Sequence, residues 1–272
     1  MDLYQDIIEL ADQVPHGAVT TPEAIAEALG DHRAARAVQR VLTHAGRGDC
    51  IVAMGSAAGR ELFTDFAGQA PLQRLRAEQQ RLRDAVVISD DFDEIATIAG
   101  VDVAYQGQTA YGAYVEMDMD GEVTAIKAIQ METRFPYIST YLSYRELPVL
   151  EVLLDGETPS LVMVDGNGIL HPYGFGLASH VGVLHDLPVI GVAKSLLCGE
   201  ICNRYVYLNG RRTAVCCGTN NPVYVSPGHR ISLETAASIT EHGCRHRIPE
   251  PIRRAHMLAG QTKRRALPEN DE

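Results

Sequence analysis

The sequence has no tryptophan, and of its 24 basic residues only Lys127, Lys194 and Lys263 are lysines. No apolar run approaches the roughly 18–20 residues that a membrane-spanning helix requires. The opening MDLYQDIIEL lacks the basic start and apolar centre of a secretory signal. A cytoplasmic protein with no membrane contact is therefore expected. Positive charge is scarce, since 24 basic residues face 35 acidic ones for a net charge of −11. That argues against a simple nucleic-acid coating protein, but not against an enzyme with a local cationic groove. The acidic, lysine-poor composition fits either a high-salt cytoplasm or GC-rich coding. Six cysteines (Cys50, Cys198, Cys202, Cys216, Cys217 and Cys244) are irregularly spaced, which argues against a disulfide framework. Cys198 to Cys217 offers four sulfurs for zinc, but no CxxC pair recurs, so buried thiols in a reducing compartment are the better reading. With 272 residues, 46% of them hydrophobic and 22% charged, the chain reads as one or two globular domains rather than a fibrous or disordered one.

Residues 1–66 read as a small helical unit. Leu3, Ile7, Ile8 and Ala11 recur at helical spacing, and Val14-Pro15-His16-Gly17 ends that helix. Thr21 and Pro22 supply an N-cap and a first-turn proline for a short helix ending at Gly30. A third helix after Asp31 carries Arg33, Arg36 and Arg40 to about His44. Short apolar runs at Ile51-Val52-Ala53 and Glu61-Leu62-Phe63 suggest a hairpin. This is the order of a winged helix-turn-helix. Residues 66–71 read as a linker, and Leu72 to Val86 as a helix.

Residues 72–272 follow another grammar. Strands are expected over 97–105, 110–117 and 123–131, a helix over 139–153, and a buried strand over 161–164. A helix over 174–186, a strand over 189–193, two hairpin strands over 204–217, a strand over 223–225 and a helix from Leu233 follow. The tail from Gln261 reads as frayed. Three antiparallel strands followed by alternating helices and strands is the order of a ribonuclease H-like fold. The chain is thus α/β, a mixed sheet with flanking helices plus a small N-terminal winged helix-turn-helix domain.

Asp102 interrupts the apolar strand Ala99-Gly100-Val101-Asp102-Val103, where a carboxylate is costly unless paired or bound to a cation. Asp165 ends the strand Leu161-Val162-Met163-Val164, at the edge where α/β sheets place ligands. Glu146 lies on the helix after the third strand. In the expected fold these three carboxylates converge, a site for a hard divalent cation, Mg²⁺ with Mn²⁺ as a substitute. Taken singly, each could equally be a strand-end cap or a solvated acid. Lys194, ending the next strand, suits a phosphate or an ordered water. His229 precedes a helix capped by Ser232 and offers an acid, a base or a phosphate contact, or is an exposed turn residue. The loop from Gly166 to Gly176 is glycine-rich enough for a flat ligand to approach its backbone closely, or is an ordinary loop.

Residues 72 to about 258 resemble the endonuclease V family through GVDVAY (100–105), FPYISTYLSYREL (135–147), LVMVDGNGILHPYGFGLASHVG (161–182), LPVIGVAKS (187–195) and VYVSPGHRISLETA (223–236). The resemblance implies Asp102, Glu146 and Asp165 as metal ligands, with catalytic support from Lys194 and His229. It implies a wedge entering the duplex, Pro136-Tyr137-Ile138, and a pocket for a flipped hypoxanthine at Leu142, Gly166, His171 and Gly176. Ser139 stands where the family wedge usually closes with proline, and Asn167 where the family has histidine or glutamine. Residues 1–66 resemble the DNA-binding domain of alkylguanine-DNA alkyltransferases through Val14-Pro15-His16-Gly17-Ala18-Val19-Thr20-Thr21, Ile25-Ala26-Glu27-Ala28-Leu29-Gly30 and Ala34-Ala35-Arg36-Ala37-Val38. Arg36 falls on that family's finger arginine. The reactive Pro-Cys-His-Arg motif is missing, and Cys50 has Asp49 and Ile51 beside it, so alkyl transfer is not expected.

The expected function is a metal-dependent DNA repair endonuclease with an N-terminal DNA-binding module contacting DNA through Arg33, Arg36 and Arg40. By the resemblance it nicks the strand containing deoxyinosine at the second phosphodiester 3′ to the lesion. DNA containing deaminated purines is the expected partner, with no obligate protein partner. The alternatives are an inosine-directed ribonuclease and a lesion-binding module that recruits other repair factors.

Overall fold

A computed structural model describes residues 1–52, 59–218, 221–244 and 246–266. The chain divides into one unit of Met1–Gln79 with Thr133–Arg145 and a second of Gln80–Glu132 with Glu146–Glu272. No helix among the described residues is long and apolar enough to cross a membrane.

In the first unit, Leu3, Ile7, Leu10 and Ala11 form the buried face of α1 (Leu3–Ala11). Thr21 accepts the Ala24 N–H and starts α2 (Pro22–Leu29), which Gly30 ends in a left-handed conformation. A 3₁₀ turn at His32–Ala34 leads into α3 (Ala35–His44). Arg33 therefore sits in the turn, hydrogen-bonded to Asp31, and only Arg36 and Arg40 share an α-helical face. The expected hairpin is arranged differently. Thr20 bridges Ile51 and Val19 bridges Leu62, both in parallel sense, so each apolar run pairs with the 19–20 segment. The remaining hairpin residues, 53–58, lie outside the described residues.

The expected boundary at 66–72 does not coincide with the structural division. Leu72 and Leu75 of α4 (Pro71–Arg83) and Phe135, Ile138 and Tyr141 join one apolar core with Leu3, Ile25 and Val38. Burial of that shared surface holds these segments together.

The second unit is built on a nine-stranded sheet, counted among the described residues, in the order β3-β2-β1-β4-β5-β9-β8-β7-β6. β1 (Thr97–Gln106), β2 (Thr109–Asp118) and β3 (Val123–Glu132) are antiparallel. β4 (Leu161–Asp165) and β5 (Val189–Ala193) run parallel to β1. α5 (Leu142–Leu154) crosses the division, and its Val149 and Leu153 pack on Gly112 of β2. α6 (Leu177–His185) packs against β4, β5 and β9. β7 (Tyr205–Leu208) and β8 (Arg211–Cys217) are the expected hairpin, preceded by an additional strand, β6 (Glu200–Cys202). β9 (Val223–His229) extends four residues past its expected end. α7 (Leu233–Gly243) follows, capped by Ser232 as expected.

The tail is a correction. α8 (Glu250–Arg265) continues through residues read as frayed and lies along β1 and β2. Ile252, Ala255 and Ala259 are its buried stripe. Gly100 makes the approach possible, because a Cβ there would lie 2.2 Å from the Pro251 carbonyl carbon. Any side chain at 100 would push α8 off the sheet.

Candidate metal centre

Strand alternation builds the centre. Ile98, Leu161, Met163, Ile190 and Val192 form one core with Ile252 of α8. With a period of two, Asp102, Asp165 and Lys194 extend those same rows on the same face. Val101 pairs with Val164 in parallel register, so Asp102 and Asp165 are the next residues on neighbouring strands. Asp165 pairs with Val192, two residues before Lys194, and the Lys194 Nζ lies 2.5 Å from Asp165 Oδ2.

α8 supplies the third corner. From Gly100 to Asp102 the strand advances about 6.6 Å. From Ile252 to His256 the helix advances one turn, about 6 Å. The close approach at Gly100 is thus repeated one step on, where His256 Nδ1 lies 2.8 Å from Asp102 Oδ2. One oxygen or nitrogen each from Asp102, Asp165 and His256 lies within 4.8 Å of the other two. The Asp102 side chain is only 9% exposed. Burial and then the neighbouring Asp165 charge push its carboxyl up, against the pull of the His256 hydrogen bond, Lys194 and the His256 charge. Two carboxylates and an imidazole at this spacing fit one divalent cation bound by oxygen and nitrogen.

Sequence reasoning missed His256; it expected Glu146 as a third metal ligand and His229 as catalytic support. Glu146, half-buried on α5, does not join the three-residue group. His229 pairs with Val189 at the start of β5, whereas Lys194 follows its end, so about 16 Å of strand separates the two positions. His229 is buried. Its Nδ1 accepts the Val87 N–H at 3.2 Å, and its Nε2 lies 3.4 Å from Asp186 Oδ1. It joins the connector before β1 to β9 and does not reach the carboxylates. The signal for His256 was present in Gly100 and in Glu250-Pro251, a helix start.

The remaining sequence-assigned residues are placed within their own units. In the first, Tyr137 is 57% exposed, while Pro136 is buried and Ile138 is part of the core, so only the tyrosine of the expected wedge is presented. Leu142 is half-buried, and Arg33, Arg36 and Arg40 are exposed. Burial and then Asp49 push the Cys50 thiol up, which disfavours the thiolate that alkyl transfer needs. In the second unit, Gly166 and buried His171 lie on the loop after β4, and His171 Nδ1 accepts the Tyr173 N–H. Gly176 has a structural reason for its missing side chain, since a Cβ there would lie 2.3 Å from the Asn167 carbonyl oxygen. The close approach at Gly176 is made by the loop's own backbone.

Residues 80–257 match the profile of the endonuclease V family. A protein of Picrophilus torridus named bifunctional methyltransferase/endonuclease is 35% identical over 94% of this chain and 95% of its own length. Endonuclease V of Roseiflexus castenholzii is 40% identical over 72% of this chain and 96% of its own. The catalytic domain of human endonuclease V superposes with a TM-score of 0.68 at 31% identity, covering 73% of this chain and 98% of that domain. Ciona intestinalis endonuclease V, in complex with DNA containing an inosine followed by a ribo-adenosine, does so at 0.66 and 27%, covering 72% and 99%. An N-terminal alkyltransferase-like part ahead of the nuclease is consistent with the fusion name of the Picrophilus relative. The α/β core, the five motifs in their order and these matches agree: the chain belongs to the endonuclease V family and is a nuclease.

Proposed function

We propose that this protein is a divalent-metal-dependent DNA repair endonuclease of ribonuclease H-like architecture. It nicks the strand carrying deoxyinosine at the second phosphodiester 3′ to the lesion. The observation that carries this reading is the convergence of Asp102, Asp165 and His256 within 4.8 Å, with Lys194 on Asp165, in a member of a nuclease family. A bound Mg²⁺ or Mn²⁺ supplies charge neutralisation at the phosphodiester and an acidified water. Asp102 and Asp165 hold the cation, and the repulsion between them is what its charge relieves. His256 completes the donor set and fixes the Asp102 carboxylate. Lys194 neutralises and orients Asp165, and its ammonium suits a phosphate oxygen of the bound strand. Glu146 enters the ligand set by family resemblance alone. The three buried or half-buried charged groups Asp102, Asp165 and Lys194, converging on one point, have no use in a module that merely grips DNA.

On the same reading Tyr137 is the wedge that stacks where the flipped base stood. Gly166, His171 and Gly176 receive that base, and Arg33, Arg36 and Arg40 contact the backbone of DNA containing deaminated purines. The acidic surface makes binding rest on such local arginines, so affinity falls with salt.

A second reading, an inosine-directed ribonuclease, draws support from the Ciona relative, whose bound strand has a ribonucleotide after the inosine. The deciding assay compares matched duplexes containing inosine, uracil, an abasic site or alkylguanine, with deoxyribose or ribose 3′ to the inosine, each with and without Mg²⁺. Mg²⁺-dependent nicking of the all-DNA inosine duplex, abolished by Asp102→Asn or Asp165→Asn, is the expected result. Cleavage that requires the ribose would establish the second reading instead.

A further inference from the structure

Thr140, three residues after the exposed Tyr137, has a left-handed backbone with φ of 73°. A β-branched residue is strained there and stays only where its neighbours over-determine it. Those neighbours are on α4. Gln79 Nε2 donates to the Thr140 carbonyl at 2.9 Å, and the Arg76 guanidinium donates to Thr140 Oγ1 at 3.1 Å. Arg76 also lies 4.6 Å over the Tyr141 ring.

The contacts meet at Asp31. Its Oδ2 accepts the Tyr141 hydroxyl at 2.8 Å and Arg76 at 3.1 Å. Its Oδ1 accepts the Arg33 N–H at 3.0 Å and so starts the turn into α3. The side chain is 8% exposed, so salt screens this arrangement little. Burial pushes the carboxyl up, but hydrogen bonds from the Arg33 N–H and Tyr141, with the charges of Arg33 and Arg76, hold it below its ordinary value. Every residue named belongs to the first unit.

We propose that Asp31 is a positioning residue, whose two oxygens tie the start of α3 to the segment presenting Tyr137, so that the N-terminal helices brace the strand-opening wedge. This rests on the reading of Tyr137 as the wedge. A helix set to meet the DNA backbone through Arg36 and Arg40 then shares one buried carboxylate with the side chain that replaces the flipped base. The N-terminal module aims the wedge, in addition to adding affinity.

The test uses the full chain carrying Asp31→Asn, which keeps the shape and the cap but removes the charge. Tyr141→Phe deletes one hydroxyl on the far side of the contact and serves if Asp31→Asn does not fold. Nicking of inosine in duplex and in single-stranded DNA is compared, because a general structural defect lowers both alike. The expected loss is about tenfold on the duplex and under about twofold on the single strand, the scale of a displaced positioning group. Adding Asp31→Asn to Tyr137→Ala should give no further duplex loss. Amide hydrogen exchange at Tyr141 and Tyr144 should quicken in either variant, with or without DNA. Equal losses on both substrates, full additivity with Tyr137→Ala, or unchanged exchange would overturn the proposal. If Tyr137→Ala leaves the duplex-to-single-strand ratio unchanged, the wedge reading fails, and with it the aiming role. Faster exchange would then leave Asp31 only a local brace.

Discussion

His256 Nδ1 lies 2.8 Å from Asp102 Oδ2, although 154 positions separate the two in sequence. The contact requires that α8 reach β1, which Gly100 permits, and that the helix and strand advance by nearly the same distance per step. The histidine therefore stands with Asp102 and Asp165 in the candidate metal centre.

His256→Ala should weaken Mn²⁺ binding about tenfold or more, within the range seen when metal-site groups are deleted. The protein should remain folded, because the His256 side chain is 57% exposed. Asp102→Asn should weaken binding further while holding or raising the thermal midpoint in metal-free buffer, since it removes a buried charge that Asp165 opposes. Titration calorimetry with Mn²⁺ and a melting curve in chelator check both. Unchanged affinity in His256→Ala would remove the histidine from the donor set.

The strands from β1 to β5 were legible because buried strands carry uninterrupted apolar runs such as Leu161–Val164 and Val189–Ala193, and Asp102 and Asp165 stood out against them. α8 was hidden for the opposite reason. Its buried stripe relies on Ala255 and Ala259, whose small side chains give weak periodicity beside five basic residues between 253 and 265. β6 is a three-residue exposed strand with no apolar pattern to read. His229 precedes the Ser232-capped helix and matches a family motif in one dimension, whereas antiparallel pairing carries it away from Lys194. The tie between Asp31 and Tyr141 spans 110 positions, and no local spacing announces it.

His229→Ala should act on stability instead. It strips the Val87 N–H of its acceptor and leaves the space of a buried imidazole unfilled. Losing such a partly buried hydrogen bond costs about 0.5–1.5 kcal/mol, or a few degrees in a unit of this size. Mn²⁺ affinity should stay within about twofold, because distant sites act independently. A collapse in affinity with an unchanged melting temperature would give His229 a part in the metal centre.

His180 gives a pH-dependent stability. It is 1% exposed on α6, and burial pushes its pKa down to about 4. Unfolded, it titrates near the ordinary value of about 6.5. Between these values the unfolded chain binds more protons, so stability is full above about pH 6.5 and falls as the pH drops towards 4. The loss from this group between pH 7 and pH 5 should be about 2 kcal/mol. Urea unfolding at the two pH values, in the native protein and in His180→Gln, isolates it. Whatever the variant's starting stability, its pH difference should shrink by that amount, and an undiminished difference would assign the effect to other groups.

The last prediction separates DNA contact from alkyl chemistry in the first unit. Alkyl transfer needs a thiolate beside a base. Cys50 has neither, since burial and Asp49 push its thiol up and its Sγ donates to the Arg47 carbonyl at 3.0 Å. Arg36 and Arg40 stay exposed one turn apart on α3 and suit phosphates whatever the chemistry. Arg36→Ala in the full chain should therefore weaken binding to an inosine duplex about three- to tenfold at low salt. The effect should fade as salt rises, because a phosphate contact acts through counterion release. Nicking should suffer most at low enzyme concentration, where a second anchor raises effective concentration. Incubation with alkylguanine DNA should leave the mass of the protein unchanged. An alkyl adduct on Cys50 would overturn the chemical half of this argument, and a salt dependence identical to the native protein's would overturn the electrostatic half.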